Sequence, residues 1–222
     1  ATNPGSGSTL MGGAGEWALF NQYGGELYLY NIKEDDHFVV ERSVSYGCID
    51  NDATYVFYTK YQDGVLKDKE KQDIKIMNVN VTSENYGERR KKVGELPAGL
   101  NIDNSAYHDG LFFYYASNLA NTEKIVGVVA VDESFSKKAS KFSKLLKKYN
   151  FTEFKKFGDK LYAFDPDKKT IYDISNGKAK VKTKVPAVLS SFAILGDNIY
   201  TNYWDDNVGD FGKYIYTING KK

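Results

Sequence analysis

The sequence predicts an all-β fold, a five-bladed β-propeller of four-stranded antiparallel blades, from three observations. A short phrase recurs five times, at positions 29, 76, 128, 171 and 215. It consists of a large apolar residue, an aromatic or apolar one, a variable one, a β-branched one and a small polar or charged one. A second apolar phrase precedes each copy, and a polar or glycine turn precedes that phrase. The steps of 47, 52, 43 and 44 residues are typical of repeat proteins, in which each repeat forms one supersecondary unit.

Each repeat contains four predicted strands, which we label A to D. In the fourth repeat A covers residues 152–157, B 161–164, C 170–174 and D 179–185. A glycine-containing turn separates A from B, and an Asn-Gly pair follows C, as expected for hairpins. Five four-stranded units arranged radially make a propeller. A β-sandwich is the alternative, but it does not require one phrase repeated five times.

Lysine-rich runs coincide with the predicted outer D strands. They cover residues 89–93, 141–148 and 178–184, and lysine on an outer edge prevents pairing with other chains. The run within 137–148 has a second interpretation, because Phe142, Leu145, Leu146 and Tyr149 also fall at helical spacing. A basic amphipathic helix there would contact an anionic membrane or partner.

The ends of the chain raise the question of how the ring closes. Residues 1–9 are rich in Gly, Ser, Asn and Pro and are predicted to be a flexible tether, while residues 10–222 form a single propeller domain. After the last C strand too few residues remain for a D strand. The last blade therefore has three strands, or the segment before Trp17 supplies the fourth, which is the expected arrangement because it removes an open edge.

Composition excludes several classes of function. The net charge of +1, from 30 basic and 29 acidic residues, lacks the basic excess of a nucleic-acid binder. No apolar run approaches the length of a transmembrane helix. A Gly/Ser-rich start without Met matches what remains after removal of a secretory signal, and also a cloning remnant. We expect an exported or cell-surface monomer.

A family resemblance supports this expectation. The segments 199–205 and 213–220 resemble a blade of the low-density-lipoprotein-receptor type, whose hallmark is a Tyr-Trp-Thr-Asp strand followed by an Ile-Tyr strand ending in Asp-Gly. The whole chain resembles the bacterial β-propeller family of unknown function that is similar to those receptors, whose members are typically exported by Gram-positive bacteria. The pattern departs from the receptors because Thr is missing between Trp204 and Asp205, and five repeats occur where the receptors have six blades. The resemblance implies a binding role and no catalytic residues.

The B–C loops are the predicted binding face. Three of them are long, at residues 61–73, 117–124 and 203–213, and long loops on one face of a repeat scaffold commonly bind ligands. The third loop contains Tyr203, Trp204, Asp205 and Phe211, in which aromatic rings beside carboxylates suit a sugar or a peptide. Trp204 is the principal predicted contact, half exposed after its strand, whereas Trp17 should be core. The competing interpretation is that Tyr203 and Trp204 end strand B and pack inside.

The sequence gives little support for a metal site or a catalytic site. The acidic loop 205–210 has oxygen ligands for Ca²⁺ but not the spacing of a calcium-binding loop. His37 is predicted near an outer strand and His108 beside an inner turn, so the two histidines do not indicate a shared metal site. Acids in the A–B turns are explained by turn chemistry, which leaves Glu153 and Asp103, on inner strands, as residual candidates for the paired carboxylates of a glycosidase. No cofactor and no metal are predicted.

The predicted function is thus a non-catalytic, exported binding module that recognises a protein or glycan on the B–C face. The alternative is a five-bladed glycoside hydrolase or lyase acting on a polysaccharide, which requires carboxylates converging on the inner strands. For the core, the repeats predict six side chains largely buried between blades: Tyr30, Phe57, Phe113, Phe164, Ile171 and Ile215.

Overall fold

The computed structural model describes residues 7–22, 25–62, 70–79, 90–185, 188–196, 198–205 and 208–217. The chain divides into two compact units. The first unit comprises Ala1–Ile102 and Ser117–Glu123, and the second comprises Asp103–Ala116 and Lys124–Lys222.

The described residues form an all-β architecture of 18 strands in antiparallel sheets of three or four strands, each built from consecutive strands. The first two sheets contain β1 (Ser8–Ala14), β2 (Trp17–Gln22), β3 (Glu26–Asn31) and β4 (Asp36–Glu41), then β5 (Val44–Ile49), β6 (Tyr55–Tyr61), β7 (Gln72–Asn78) and β8 (Arg90–Leu96). The other three contain β9 (Asn101–His108), β10 (Leu111–Ser117) and β11 (Lys124–Ala130), then β12 (Glu153–Phe157), β13 (Lys160–Asp165), β14 (Thr170–Asp173) and β15 (Lys180–Lys184), then β16 (Leu189–Leu195), β17 (Asn198–Asp205) and β18 (Asp210–Thr217).

Each sheet corresponds to one sequence repeat. Strand β3 shows why the repeated phrase forms a strand, since its residues alternate between half-buried and buried with the two-residue period of a pleated strand. The turn between β9 and β10 is made by Asp109 and Gly110, whose φ angles of 49° and 80° are those of a tight hairpin turn. This confirms that turn chemistry accounts for the acid at that position.

The fourth sheet is an inner layer of the second unit. Alternate residues of β13 enter two different clusters, with Leu161 and Ala163 on one face and Tyr162 and Phe164 on the other. The first cluster includes residues of the third sheet, and the second includes Phe192 and Ile199 of the fifth sheet. Burial on both faces explains why the strand is a continuous apolar run rather than an alternating one.

The lysine-rich run at 141–148 is not a D strand, so that prediction was wrong and its helical alternative is confirmed. A 3-10 turn over Glu133–Phe135 leads into helix α1 (Ser136–Leu146), which packs on β11 and follows a three-stranded sheet. Its apolar residues Phe142, Leu145 and Leu146 are buried, so this face serves the core and not a membrane. The other two lysine-rich runs overlap β8 and β15, the fourth strands of their sheets, as predicted.

The described part of the N-terminal segment before Trp17 belongs to the first sheet and not to the last one, contrary to expectation. Strand β1 pairs with β2 and is the first strand of the first sheet. In the part of the chain that the structure describes, the fifth sheet has three strands, β16 to β18.

Whether a predicted core residue is buried depends on what packs against its sheet. Four of the six are buried, as predicted: Phe57, Phe113, Phe164 and Ile171. Tyr30 is only partly buried, and its hydroxyl donates a hydrogen bond to Asp35. The prediction for the sixth residue, Ile215, was wrong, because this side chain is 53% exposed. The fifth sheet buries one face against the fourth sheet and leaves the face of β18 with Ile215 exposed. Trp17, also expected in the core, packs at the margin of the first unit's core, edge-on to Phe38.

Two isoleucines at the same position of the repeated phrase test this layering. Ile171→Ala removes a buried side chain and should lower the free energy of unfolding by about 2–5 kcal/mol. Ile215→Ala serves as the matched control and should change it by less than about 0.5 kcal/mol, as is usual for exposed positions. Denaturant unfolding followed by tryptophan fluorescence measures both, and equal losses would contradict the arrangement.

Candidate functional site

Trp204 and Phe211 form an exposed aromatic pair. They are cross-strand partners on β17 and β18, with ring centroids 5.2 Å apart and planes at 83°. Their side chains are 50% and 51% exposed. The expectation that Trp204 follows its strand was wrong, because β17 continues to Asp205, whose backbone partner is Asp210. The predicted 203–213 loop is therefore reduced to the connection 206–209, of which the structure describes residues 208 and 209.

Tyr203 lies on the opposite face of the same strand from Trp204. It packs against the buried cluster between the fourth and fifth sheets. Its cross-strand partner is Gly212, and a Cβ at Gly212 would come within 2.2 Å of the Tyr203 ring. Tyr203 therefore packs inside, as the competing interpretation predicted for both residues, whereas Trp204 is exposed.

The exposed side of the fifth sheet extends beyond this pair. Tyr200, two positions further along the same face, is 37% exposed, and its cross-strand partner Ile215 is 53% exposed. We call Tyr200, Trp204, Phe211 and Ile215 the aromatic face. Asn202 and its cross-strand partner Lys213 lie between the two apolar pairs on the same face, so the exposed apolar side chains alternate with polar ones.

A second candidate site is a polar pocket of about 410 Å³ within the second unit. It lies where β9, β12 and β16, the first strands of three successive sheets, begin, beside the end of β10. We call it the inner-strand pocket. Its lining residues are Asp103, Asn104, Tyr115, Thr152, Glu153, Lys155, Leu189, Ser190 and Ser191. Both residual carboxylate candidates from the sequence, Asp103 and Glu153, therefore line one pocket.

Glu153 is held from two directions. Its side chain is nearly buried, Lys155 Nζ lies 3.1 Å from Oε1, and the backbone N–H of Phe192 in the fifth sheet donates a hydrogen bond to the carboxyl. Burial raises the pKa of Glu153, and Lys155 and the Phe192 N–H only partly oppose that effect. The pocket thus has a carboxyl that retains its proton to higher pH than an exposed glutamate does.

Asn104 makes the corresponding link one sheet earlier. Its Oδ1 accepts a hydrogen bond of 2.6 Å from the backbone N–H of Phe154 in β12. One position recurs in the first strands of these three sheets, four residues before the last residue of the strand. It is occupied by Asn104, Glu153 and Ser191. At two of these positions, a side chain of one inner strand therefore binds the backbone of the next sheet. This spacing from the A–B turn is the signal by which the sequence would have indicated Asn104.

Asp103 and Tyr115 complete the charged part of the pocket. Asp103 is exposed on β9, and Tyr115 on β10 is buried. Burial and the negative charge of Asp103 raise the pKa of the Tyr115 hydroxyl, in that order. Sequence reasoning missed Tyr115 and Lys155 because nothing distinguishes them from the other tyrosines and lysines of the strands.

A pocket of about 400 Å³ in the first unit lies at the predicted B–C loops. Its lining includes Tyr61 at the end of β6, Gln72 at the start of β7, and residues of the 118–123 loop. Gln72 is buried and donates hydrogen bonds to the Leu100 carbonyl and to Asn101 Oδ1, so this wall is fixed. The 118–123 connection confirms one of the predicted long B–C loops, and most of the 62–71 connection lies outside the described residues.

The described ranges contain neither a cluster of metal ligands nor a membrane-spanning helix. In those ranges no group of three or more His, Cys, Asp or Glu side chains is placed to hold a metal ion. His37 lies on β4 and His108 ends β9. No helix within the same ranges is both long and apolar enough to span a bilayer.

Comparison with known proteins identifies the fold. No family model and no curated protein matches the chain. Its structure is similar to an oligogalacturonate lyase from Vibrio parahaemolyticus, with a TM-score of 0.61 and 11% identity over 99% of this chain and 65% of that one. It is also similar to an oligogalacturonate lyase in complex with manganese, with a TM-score of 0.58 and 12% identity over 96% of this chain and 63% of that one. A third similar structure is the β-propeller domain of the Trilobed protease from Pyrococcus furiosus. Its TM-score is 0.53 and its identity 13%, over 96% of this chain and 69% of that one.

These similarities show a propeller fold. The chain spans less than two thirds of the length of either lyase. At such low identity they carry no activity or substrate, and the resemblance to receptor-type propellers stays a prediction.

The pH dependence of stability tests the environment of Glu153. The folded state binds this proton more tightly than the unfolded chain, so ionisation should progressively destabilise the fold as the pH rises from the ordinary glutamate pKa of about 4.3. The Glu153→Gln variant has no carboxyl to ionise at this position, so it does not lose this stability as the pH rises. We expect the melting temperature of the variant, relative to the parent protein, to rise with pH across this window.

Asp159→Asn is the matched control for this comparison, because it neutralises an exposed carboxyl at the other end of the same sheet. The difference in melting temperature between variant and parent should rise more steeply with pH for Glu153→Gln than for Asp159→Asn. If the Glu153→Gln difference instead falls as the pH rises, the ion pair with Lys155 outweighs burial and the pKa direction given above is wrong.

Proposed function

We propose that the protein is a five-bladed, exported propeller of the bacterial receptor-like family that binds a protein or a glycan without catalysis. It acts as a monomer at or outside the cell surface. The observation that supports this most directly is the aromatic pair, since Trp204 and Phe211 are each about half exposed on two paired strands. The binding contacts are Trp204 and Phe211, with Tyr203 and Asp205 as neighbours on β17.

The position of this pair favours recognition over packing. Strands hold side chains more precisely than loops do, and rigid aromatic rings bind with little loss of conformational entropy. Exposed rings at right angles offer one face and one edge to a sugar or to a peptide side chain. Tryptophan and tyrosine are also enriched among residues that dominate binding energy.

An array of glycans and peptides probed with the purified protein would identify the ligand class. With a ligand identified, Trp204→Ala should weaken binding by on the order of 2 kcal/mol, the scale of a hot-spot residue. Phe211→Ala should weaken it as well, because Trp204 then loses its edge-on neighbour. Titration calorimetry measures both affinities.

Leu195→Ala is the control for this experiment. Leu195 is 68% exposed at the opposite end of the same sheet, so its removal should leave the affinity unchanged. The proposal would be overturned if Trp204→Ala bound as tightly as the parent protein, or if both variants lost affinity equally.

Polysaccharide hydrolysis or elimination is the second candidate, and one observation favours it. Asp103 and Glu153 line the same pocket, and Glu153 has the raised pKa expected of a general acid. If the protein cleaves a polysaccharide, Glu153→Gln should lower the rate by about 10²-fold or more. Release of reducing ends or of unsaturated products from a polysaccharide panel measures this rate. Asp159→Asn should retain full activity, and the absence of turnover by the parent protein would exclude this candidate.

A further inference from the structure

Helix α1 concentrates positive charge in a chain that is nearly neutral. The 19 residues between Glu133 and Glu153 include six lysines and no acidic residue. Six of the 30 basic residues therefore lie in this segment, which leaves 24 against 29 acidic residues elsewhere in the chain. A basic surface that is segregated in this way attracts anionic partners, whatever the net charge of the whole chain.

Four of these lysines form a row along one side of the helix. Successive members are four, three and four residues apart, the spacings of neighbours on one helical face. The row consists of Lys137, Lys141, Lys144 and Lys148, and all four side chains are exposed. Lys148 belongs to the turn that continues the helix, since its backbone N–H donates a 2.9 Å hydrogen bond to the Leu145 carbonyl. At a rise of about 1.5 Å per residue this lysine row is about 16 Å long.

A parallel row of hydroxyl groups flanks the lysine row. The first three of its lysines each follow a serine: Ser136, Ser140 and Ser143. Ser136 and Ser140 are exposed, and every large apolar side chain of α1 is buried. Hydroxyls donate hydrogen bonds to carboxylates and exchange them with other hydroxyls. Insertion into a bilayer needs exposed apolar side chains, and base stacking needs exposed aromatic ones, so this surface fits neither.

Contacts on the other sides of the helix hold it in place. Lys138, outside the row, forms an ion pair with Asp109 in the turn between β9 and β10. Lys141 Nζ donates a 2.7 Å hydrogen bond to the Asn176 carbonyl in the turn after β14. The lysine row is thus presented by a fixed element, and a preformed surface loses less entropy on binding.

The lysine row lowers the stability of the helix that carries it. Like charges four residues apart on a helix destabilise it, and the row contains two such pairs. Its first turn holds Lys137 and no acidic residue, which is unfavourable at the positive end of the helix dipole. Lys137, Lys144 and Lys148 form no ion pair with any residue that the structure describes, whereas Lys155, for example, pairs with Glu153. An anionic ligand would relieve this repulsion.

We propose that the lysine row of α1 binds a linear acidic polysaccharide. Carboxylates along the polymer pair with Lys137, Lys144 and Lys148, and its hydroxyls form hydrogen bonds with Ser136 and Ser140. A row one residue wide matches a chain-like ligand. Lysine also suits a repeating polymer, because it is a compact charge on a flexible stem and does not impose the planar geometry of arginine. This surface does not use the aromatic face, so it goes beyond the binding role proposed there.

Four probes test the proposal: alginate, a linear uronic acid polymer; dextran, a neutral polysaccharide; polyglutamate; and phosphatidylserine vesicles. Calorimetric titration of the parent protein at low salt should show binding of alginate and none of dextran. Polyglutamate and the vesicles should bind about tenfold more weakly than alginate, the effect of about two hydrogen bonds, because neither offers sugar hydroxyls to the serines. Added salt should weaken the binding of alginate, since these charges are exposed.

Substitutions in the two rows make the test specific. Lys144→Gln should weaken alginate binding about fivefold, the upper range for one exposed ion pair, and adding Lys148→Gln should weaken it further. Neither change should lower the melting temperature, because glutamine forms helices as readily as lysine and the repulsion is reduced. Ser140→Ala should weaken the binding of alginate about threefold and leave that of polyglutamate unchanged.

Two variants on the fifth sheet are the controls. Lys213→Gln removes one exposed lysine outside α1 and should leave the affinity for alginate unchanged. Trp204→Ala should also leave it unchanged, so failure here is distinguishable from failure of the aromatic face. The proposal would be overturned if alginate did not bind, if Lys144→Gln and Lys213→Gln had equal effects, or if polyglutamate or the vesicles bound as tightly as alginate. Tighter binding of the vesicles would instead indicate a membrane surface as the partner of this row.

Discussion

Burial of a strand between two apolar layers is the constraint on which the second unit depends. Strand β13 contributes Leu161 and Ala163 to one cluster and Tyr162 and Phe164 to the other. The centre of β13 therefore has no solvent-facing side, and residues 161–164 are apolar or aromatic without a polar alternation. The fifth sheet has one such contact, through Phe192 and Ile199, and its other face is exposed. Core and surface within these repeats are therefore decided by what covers each sheet, and not by the phrase itself.

This dependence explains how far the sequence could predict the fold. The repeated phrases located the sheets because alternation and turn residues are local properties. Ile171 and Ile215 occupy the same place in the phrase, yet one is buried and the other exposed, since coverage comes from a neighbouring layer that the local sequence does not specify. The same holds for Tyr203 and Trp204, which alternation places on opposite faces without showing which face is covered. Helix α1 was ambiguous for a different reason, because lysines among apolar residues fit both an outer strand and an amphipathic helix.

The inner-strand pocket shows that the groups linking the sheets also form a site. Glu153 and Asn104 accept hydrogen bonds from the backbone of the next sheet and at the same time line the pocket. Sequence reasoning found Asp103 and Glu153 as acids on inner strands. It missed Asn104, which only the recurring distance from the A–B turn would have indicated, and it could not find Tyr115, because the role of Tyr115 arises from the approach of successive sheets. A ligand bound there contacts the structural links themselves, so binding and stability are coupled.

The order of the strands has a consequence for the kinetics of folding. Every sheet in the described chain is made of strands that follow one another in sequence, and each pairs with the next. Pairing of this kind closes short loops, which cost little entropy and form quickly. A chain with such local pairing folds faster than one of the same β content whose strands must find distant partners. Each hairpin can also form before the following repeat has left the ribosome.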